Sequence, residues 1–149
     1  MQIALSRPST PSALITNDPN RPVDGRHIKT DEKKCLISNF KDVQNKIPAV
    51  IITAFPEDEP QNYAKDFLGV FLRMGYATGI LVGGSKHYGD FGLMIGVKDL
   101  EHPSDTAKQF KDLIEKCYPN IRTIKFDVPT NLLPQFSNID FDLFIGSKD

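Results

Sequence analysis

Pro48-Ala49-Val50-Ile51-Ile52-Thr53-Ala54-Phe55-Pro56 is a continuous apolar run, rich in β-branched residues and closed by a proline at each end. Proline fixes φ and carries no backbone donor, so regular structure does not run through either end. The run between them is short for a helix and has no polar face. It predicts a strand covered on both sides, of the kind found in sheets with helices packed on them.

Outward from that strand the pattern turns helical on both sides. Upstream, Leu36, Phe40, Val43 and Ile47 recur at spacings of four, three and four, which is one helical face. Thr30 serves as its N-cap, Asp31 and Glu32 suit its positive end, and Pro48 stops it. Downstream, Pro56-Glu57-Asp58-Glu59-Pro60 opens a second helix, with Asp58 as cap and Pro60 near the first turn. Its stripe is Tyr63, Ala64, Phe67, Leu68, Phe71 and Leu72, and Gly75 suits the position just past its end.

Ala77 to Val82 reads as a second strand and Phe91 to Lys98 as a third. Ser104 and Asp105 open a third helix with Ala107, Phe110, Ile114 and Cys117 on its apolar face. Ile124, Phe126 and Val128 alternate with Lys125 and Asp127 in a fourth strand. Phe141, Leu143 and Ile145 alternate with Asp140 and Asp142 in a last one. The order is α-β-α-β-β-α-β-β, an α/β fold.

Two architectures fit this order. The helices between strands one and two, and between three and four, imply parallel pairs joined by right-handed crossovers. If the short link between strands two and three runs back along the sheet, the result is a three-layer Rossmann-like sandwich. If it makes a hairpin, the result is a ferredoxin-like α+β split β-α-β sheet. The doubly apolar first strand and the extra first helix favour the three-layer form.

Residues 1–29 stand apart. Pro8, Pro11, Pro19, Pro22 and Gly25 lie among Ser, Thr, Asn and Asp, which leaves no room for a sustained helix or strand. They read as a flexible leader or linker, and residues 30–149 as a single domain.

The whole chain of 149 residues carries a formal net charge of −1. Such a balance gives no field for steering onto nucleic acid or anionic lipid, and the basic residues form no stripe. No run approaches the ~20 apolar residues of a membrane span. A soluble, cytoplasmic protein without nucleic-acid partners is expected, or else the soluble domain of a membrane-associated one. Cys35 and Cys117 fall on or beside apolar helical stripes without zinc or C-x-x-C spacing, and read as buried free thiols.

The sharpest candidate site is the loop Gly83-Gly84-Ser85-Lys86-His87-Tyr88-Gly89-Asp90. Glycines at a strand end turn backbone N–H groups towards an anion, and Ser85, Lys86 and His87 suit a phosphate. Gly83, Gly84, Ser85, Lys86, His87 and Tyr88 are therefore the candidate ligand-binding residues. A phosphate fingerprint also needs a helix directly after the glycines, and a strand follows here, which favours an ordinary glycine-rich turn.

Glu57, Asp58 and Glu59 stand at the carboxyl end of the first strand, where α/β sheets bind ligands. Three consecutive acids rarely aim at one point, and acids are welcome at any helix start, so capping is the simpler role. His27, His87 and His102 show no metal spacing. Ser85, His87 and Asp90 are close along one loop, whereas triads are assembled from separate segments. No catalytic residue, metal ligand or cofactor is assigned.

Several stretches resemble a kind of bacterial soluble α/β domain that often follows transmembrane helices. They are Arg26 with Thr30-Asp31-Glu32, Pro48-Ala-Val-Ile-Ile52, Pro56-Glu-Asp-Glu59, Arg73-Met-Gly-Tyr76 and Phe141-Asp-Leu-Phe-Ile-Gly-Ser-Lys148. The last is similar to the closing strand of those domains, which ends Ile-Gly-x-Lys. The resemblance spans Arg26 to Asp149, implies the α/β fold and a bacterial origin, and brings no site residues. The leading expectation is a non-catalytic binding or sensing module, as an accessory domain of a membrane-associated system. The second is a protein or enzyme that takes a small anionic or phosphorylated ligand on the Gly83–Asp90 loop.

Overall fold

The apolar run between the two prolines forms β1 (Ala49–Ala54), and all six of its residues are buried. The computed structural model describes residues 25–83, 92–126 and 134–148. In chain order they form α1 (Thr30–Phe40), β1, α2 (Asp58–Arg73), β2 (Ala77–Val82), β3 (Leu93–Val97), α3 (Asp105–Cys117), β4 (Arg122–Lys125), a 3-10 turn (Pro134–Phe136) and β5 (Phe141–Ile145). This is the expected order, in a mixed five-stranded sheet interleaved with helices.

The sheet order is β2-β1-β5-β3-β4. β1 pairs in parallel with β2 (Ala49 opposite Ala77) and with β5 (Ile52 opposite Leu143). β3 pairs in parallel with β4 and antiparallel with β5, Ile95 lying opposite Leu143. The fold thus consists of two β-α-β units, β1-α2-β2 and β3-α3-β4, joined through β5. β2 and β3 do not pair, so the hairpin alternative is not the one adopted. The link after β2 crosses from the edge of the sheet to its fourth position.

Phe40 brings the three helices together. Its ring meets Phe71 of α2 at 5.2 Å and Phe110 of α3 at 5.8 Å, and Phe110 packs on Phe141 of β5 at 4.6 Å. All three described helices therefore share one face of the sheet. On the opposite face Met94, Phe144 and Phe55 form a small cluster, and Phe136 of the 3-10 turn lies over Gly79 of β2. A second helical layer is not formed by the described residues. The reason is topological: two right-handed crossovers in β-α-β units of opposite direction place both helices on the same side.

Several boundaries shift. α1 ends at Phe40, although Val43 and Ile47 keep its apolar spacing. Residues 41–47 form turns instead, Ile47 donating to the Val43 carbonyl at 2.8 Å, and Ile47 is still fully buried. Lys29 and Glu57 occupy the N-cap positions expected of Thr30 and Asp58, one residue earlier in each case. Ser104 caps α3 as expected, its hydroxyl accepting from the Ala107 N–H at 3.1 Å. Gly75, at φ 90°, closes α2 where an L side chain would be strained.

The cysteines are not free. Cys35 of α1 and Cys117 of α3 form a disulfide with Cα atoms 5.7 Å apart. The packing of α1 against α3 around Phe40 and Phe110 brings together two residues 82 apart in sequence. Asn39 donates to both sulfurs and to the Leu113 carbonyl at 3.4 Å.

Candidate functional site

The carboxyl ends of β1 and β5 lie side by side because the two strands are parallel neighbours. Phe55 extends β1 by donating its N–H to the Ile145 carbonyl at 3.0 Å. The chain then continues into the acidic start of α2, while β5 continues into Gly146, Ser147 and Lys148. Polar groups from three segments collect at this end of the sheet.

Arg26 is the centre of the cluster. Its Nε donates to Glu59 Oε2 at 2.9 Å and its Nη2 to Glu59 Oε1 at 2.7 Å. Nη2 also donates to the Gly146 carbonyl at 2.6 Å, and the Arg26 backbone N–H bonds the same carboxylate. The guanidinium carbon sits 4.8 Å from the centre of the Tyr63 ring. Such a fork reads a carboxylate with directional bonds that a lysine ammonium does not reproduce. Gly25 makes the approach feasible, since its φ is 93° and an added Cβ would lie 2.5 Å from Glu59 Cγ.

The hydrogen bonds from Arg26 hold Glu59 below the usual carboxylate range, against the opposing effect of its partial burial. Arg26 Nη1 is buried and without a hydrogen-bond partner among the described residues. Beside this pair, the Ser147 hydroxyl donates to Glu57 Oε1. The three acids of the Glu57-Asp58-Glu59 run thus diverge: Glu57 takes Ser147, Glu59 takes Arg26, and Asp58 is exposed. They do not converge on a cation.

Behind Arg26 lies a phenol pair. Tyr63 is almost fully buried, and burial pushes its phenol up to about 12. Burial also raises Tyr118, whose hydroxyl donates to Glu32 Oε1 at 3.5 Å. Neither phenol ionises at physiological pH. Both act as rigid, hydrogen-bonded walls.

Of the residues singled out in sequence, Gly83 is placed at this end of the sheet, its N–H donating to the Ala54 carbonyl at 2.9 Å. Gly84, Ser85, Lys86, His87 and Tyr88 lie outside the described residues, as do Gly89 and Asp90. Where the chain is described again, Gly92 donates to the Ser147 carbonyl and accepts from the Gly146 N–H, both at 2.9 Å. Both roots of the glycine-rich loop are therefore bonded to the ends of β1 and β5. His27 pairs with Asp66 at 3.3 Å on the surface, and the exposed His102 lies 3.7 Å from Asp99. No group of His, Cys, Asp or Glu suited to a metal ion occurs among the described residues.

Sequence reasoning did not find Arg26 as a site residue, although it quoted Arg26 as part of a structural pattern. Its position inside a proline-rich leader hid it. The signal was the neighbouring Gly25, a residue able to adopt positive φ directly before a cation.

Fold and site together define a mixed-sheet α/β domain with a polar cluster at the carboxyl ends of adjacent parallel strands. Comparisons with protein-family models, with curated proteins and with solved structures gave no match.

Proposed function

We propose that this domain is a non-catalytic binding or sensing module that takes its ligand at the carboxyl ends of β1 and β5. One observation carries the reading: both roots of the glycine-rich loop, Gly83 and Gly92, are bonded to the strand ends beside which Arg26, Glu57 and Ser147 stand. Ligands of open α/β sheets are taken at that end, where loops from separate strands meet. Arg26 with Glu59 and Ser147 with Glu57 are paired there, as in a recognition surface, and none of these four has the base-and-nucleophile geometry of acid–base catalysis.

The cystine bears on the compartment. Disulfides persist in oxidising surroundings and are rare in the cytosol. A bonded Cys35–Cys117 pair supports an extracytoplasmic setting, contrary to the cytoplasmic expectation. No described helix is long and apolar enough to cross a membrane.

A second reading is favoured by the same loop roots: a small anionic or phosphorylated ligand held by Gly83 to Tyr88, with Lys86 adding charge. Amide chemical shifts recorded during titration with inorganic phosphate, nucleotides, sugar phosphates and divalent cations separate the two. Shifts confined to Gly83, residues 55–59 and residues 146–148, with no turnover, support the binding module. A phosphate response that Lys86→Ala abolishes makes the anion reading the leading one. Turnover of any of these compounds ends the non-catalytic reading.

A further inference from the structure

β5, the middle strand, carries a buried acid. Asp142 is 2% exposed and lies on the face of the sheet away from the helices. β4 brings one charged residue to this face, Arg122, whose Nη2 donates to Met94 Sδ at 3.2 Å, and the remaining neighbours are uncharged. β1 offers Thr53 and Ile51, β3 offers Gly96 and Met94, the residue after β4 is Phe126, and β5 itself adds Phe144. The charged residues next along the two strands are occupied elsewhere: Lys98 is exposed, and Asp140 accepts the Ser104 hydroxyl at 3.1 Å.

Gly96 is the counterpart of this acid. A Cβ on Gly96 would fall far inside contact distance of Asp142 Oδ1 and 2.9 Å from Phe126 Cβ. The carboxyl group thus fills the space left by a missing side chain on the neighbouring strand. Asp142 Oδ1 has no hydrogen-bond partner, and neither has Thr53 Oγ1 on the same face. A carboxylate left with an orphaned oxygen away from water is expensive. The neutral acid costs less to bury, and its O–H can donate to the Thr53 hydroxyl oxygen.

We propose that Asp142 is a proton-operated latch, neutral and bonded to Thr53 in mildly acidic surroundings, whose ionisation loosens the cover that Phe126 forms beside Gly96. The proton leaves to solvent, and the charged carboxylate then draws water in past that ring. Burial pushes the acid up to about 7, and the nearby Thr53 hydroxyl and Gly96 N–H offset only part of that rise. The folded protein therefore binds this proton more tightly than the unfolded chain, whose value is 3.8. Stability from this group is complete below that value and is lost as pH rises to about 7. The device operates whether or not the strand ends take a ligand.

Thermal unfolding of the whole chain between pH 5 and 8 tests it. The unaltered protein is expected to lose at least ~5 °C in Tm across that range, while Asp142→Asn removes most of the loss. Amide hydrogen exchange at Phe126, whose N–H donates to the Val97 carbonyl, becomes less protected above pH 7 in the unaltered protein alone. Should Asp142→Asn fail to fold, the carboxyl-carbon resonance of Asp142 in the unaltered protein decides instead. A titration midpoint in the ordinary carboxylate range, or the same Tm slope with and without Asp142, overturns the proposal.

Discussion

At the scale of single residues, the structure depends on a few side chains that occupy places vacated by others. Gly96 and Asp142 are the clearest pair. Alternation along Phe141-Asp142-Leu143-Phe144-Ile145 shows which residues share a face but cannot say whether that face is wet. Asp142 therefore reads as a solvent-facing residue until β5 is known to be the middle strand. Gly96→Ala is expected to destabilise by roughly 3 kcal/mol or more, through overpacking against a polar group. The cost should be smaller in an Asp142→Ala background, because the clash is shared. Equal costs in the two backgrounds, measured by urea unfolding, would show that the carboxylate does not fill that space. Arg26 and Glu59 make a second pair with a pH signature. Glu59 is held below 4.5 in the folded state, so its stabilising contribution is present above that pH and is lost as pH falls through its lowered folded value. Glu59→Gln should therefore narrow the stability gap between pH 6 and pH 3, as followed by circular dichroism.

At the scale of elements, most of the regular structure was legible. β1 was fixed by its two prolines, α2 by its stripe and Gly75, and α3 by Ser104. What failed was the extent of α1, where Val43 and Ile47 keep a helical spacing but occupy turns. Burial alone preserves such spacing whether or not the backbone stays helical. The stripe of α2 was also drawn too wide, since Leu72 is 54% exposed while Val70 is buried. Phe67, fully buried between Tyr63 and Tyr118, remains its centre. Phe67→Ala should cost about 3 to 5 kcal/mol, against under ~0.5 kcal/mol for the exposed Lys65→Ala. Comparable losses at both positions would mean that the helix is rotated from its present setting. The candidate site was legible only in part. Gly83 lies where expected, whereas Arg26 became a site residue only when tertiary packing carried it to Glu59 and Gly146.

At the scale of the whole molecule, pairing could not be read from the chain. The sheet order and the Cys35–Cys117 bond both join residues far apart in sequence, and local patterns carry no record of such partners. The disulfide closes a loop of 82 residues, and its loss is expected to cost about 4 kcal/mol through the added freedom of the unfolded chain. The double change Cys35→Ser with Cys117→Ser should lower the urea midpoint accordingly. Reducing agent should do the same to the unaltered protein and leave the double variant unaffected. A non-reduced sample in which alkylation labels both cysteines would refute the pairing.

The central place of β5 has a consequence for synthesis. Among the described residues, the strand that joins the two β-α-β units comes after the four it unites, so a nascent polypeptide has both halves in hand before it can unite them. Until residues 141–145 have emerged, β1 and β3 each expose a bare, hydrophobic edge. Chaperone dependence should therefore concentrate in the interval before this strand emerges, and a product stalled short of residue 141 should be recognised by quality control as two unjoined halves.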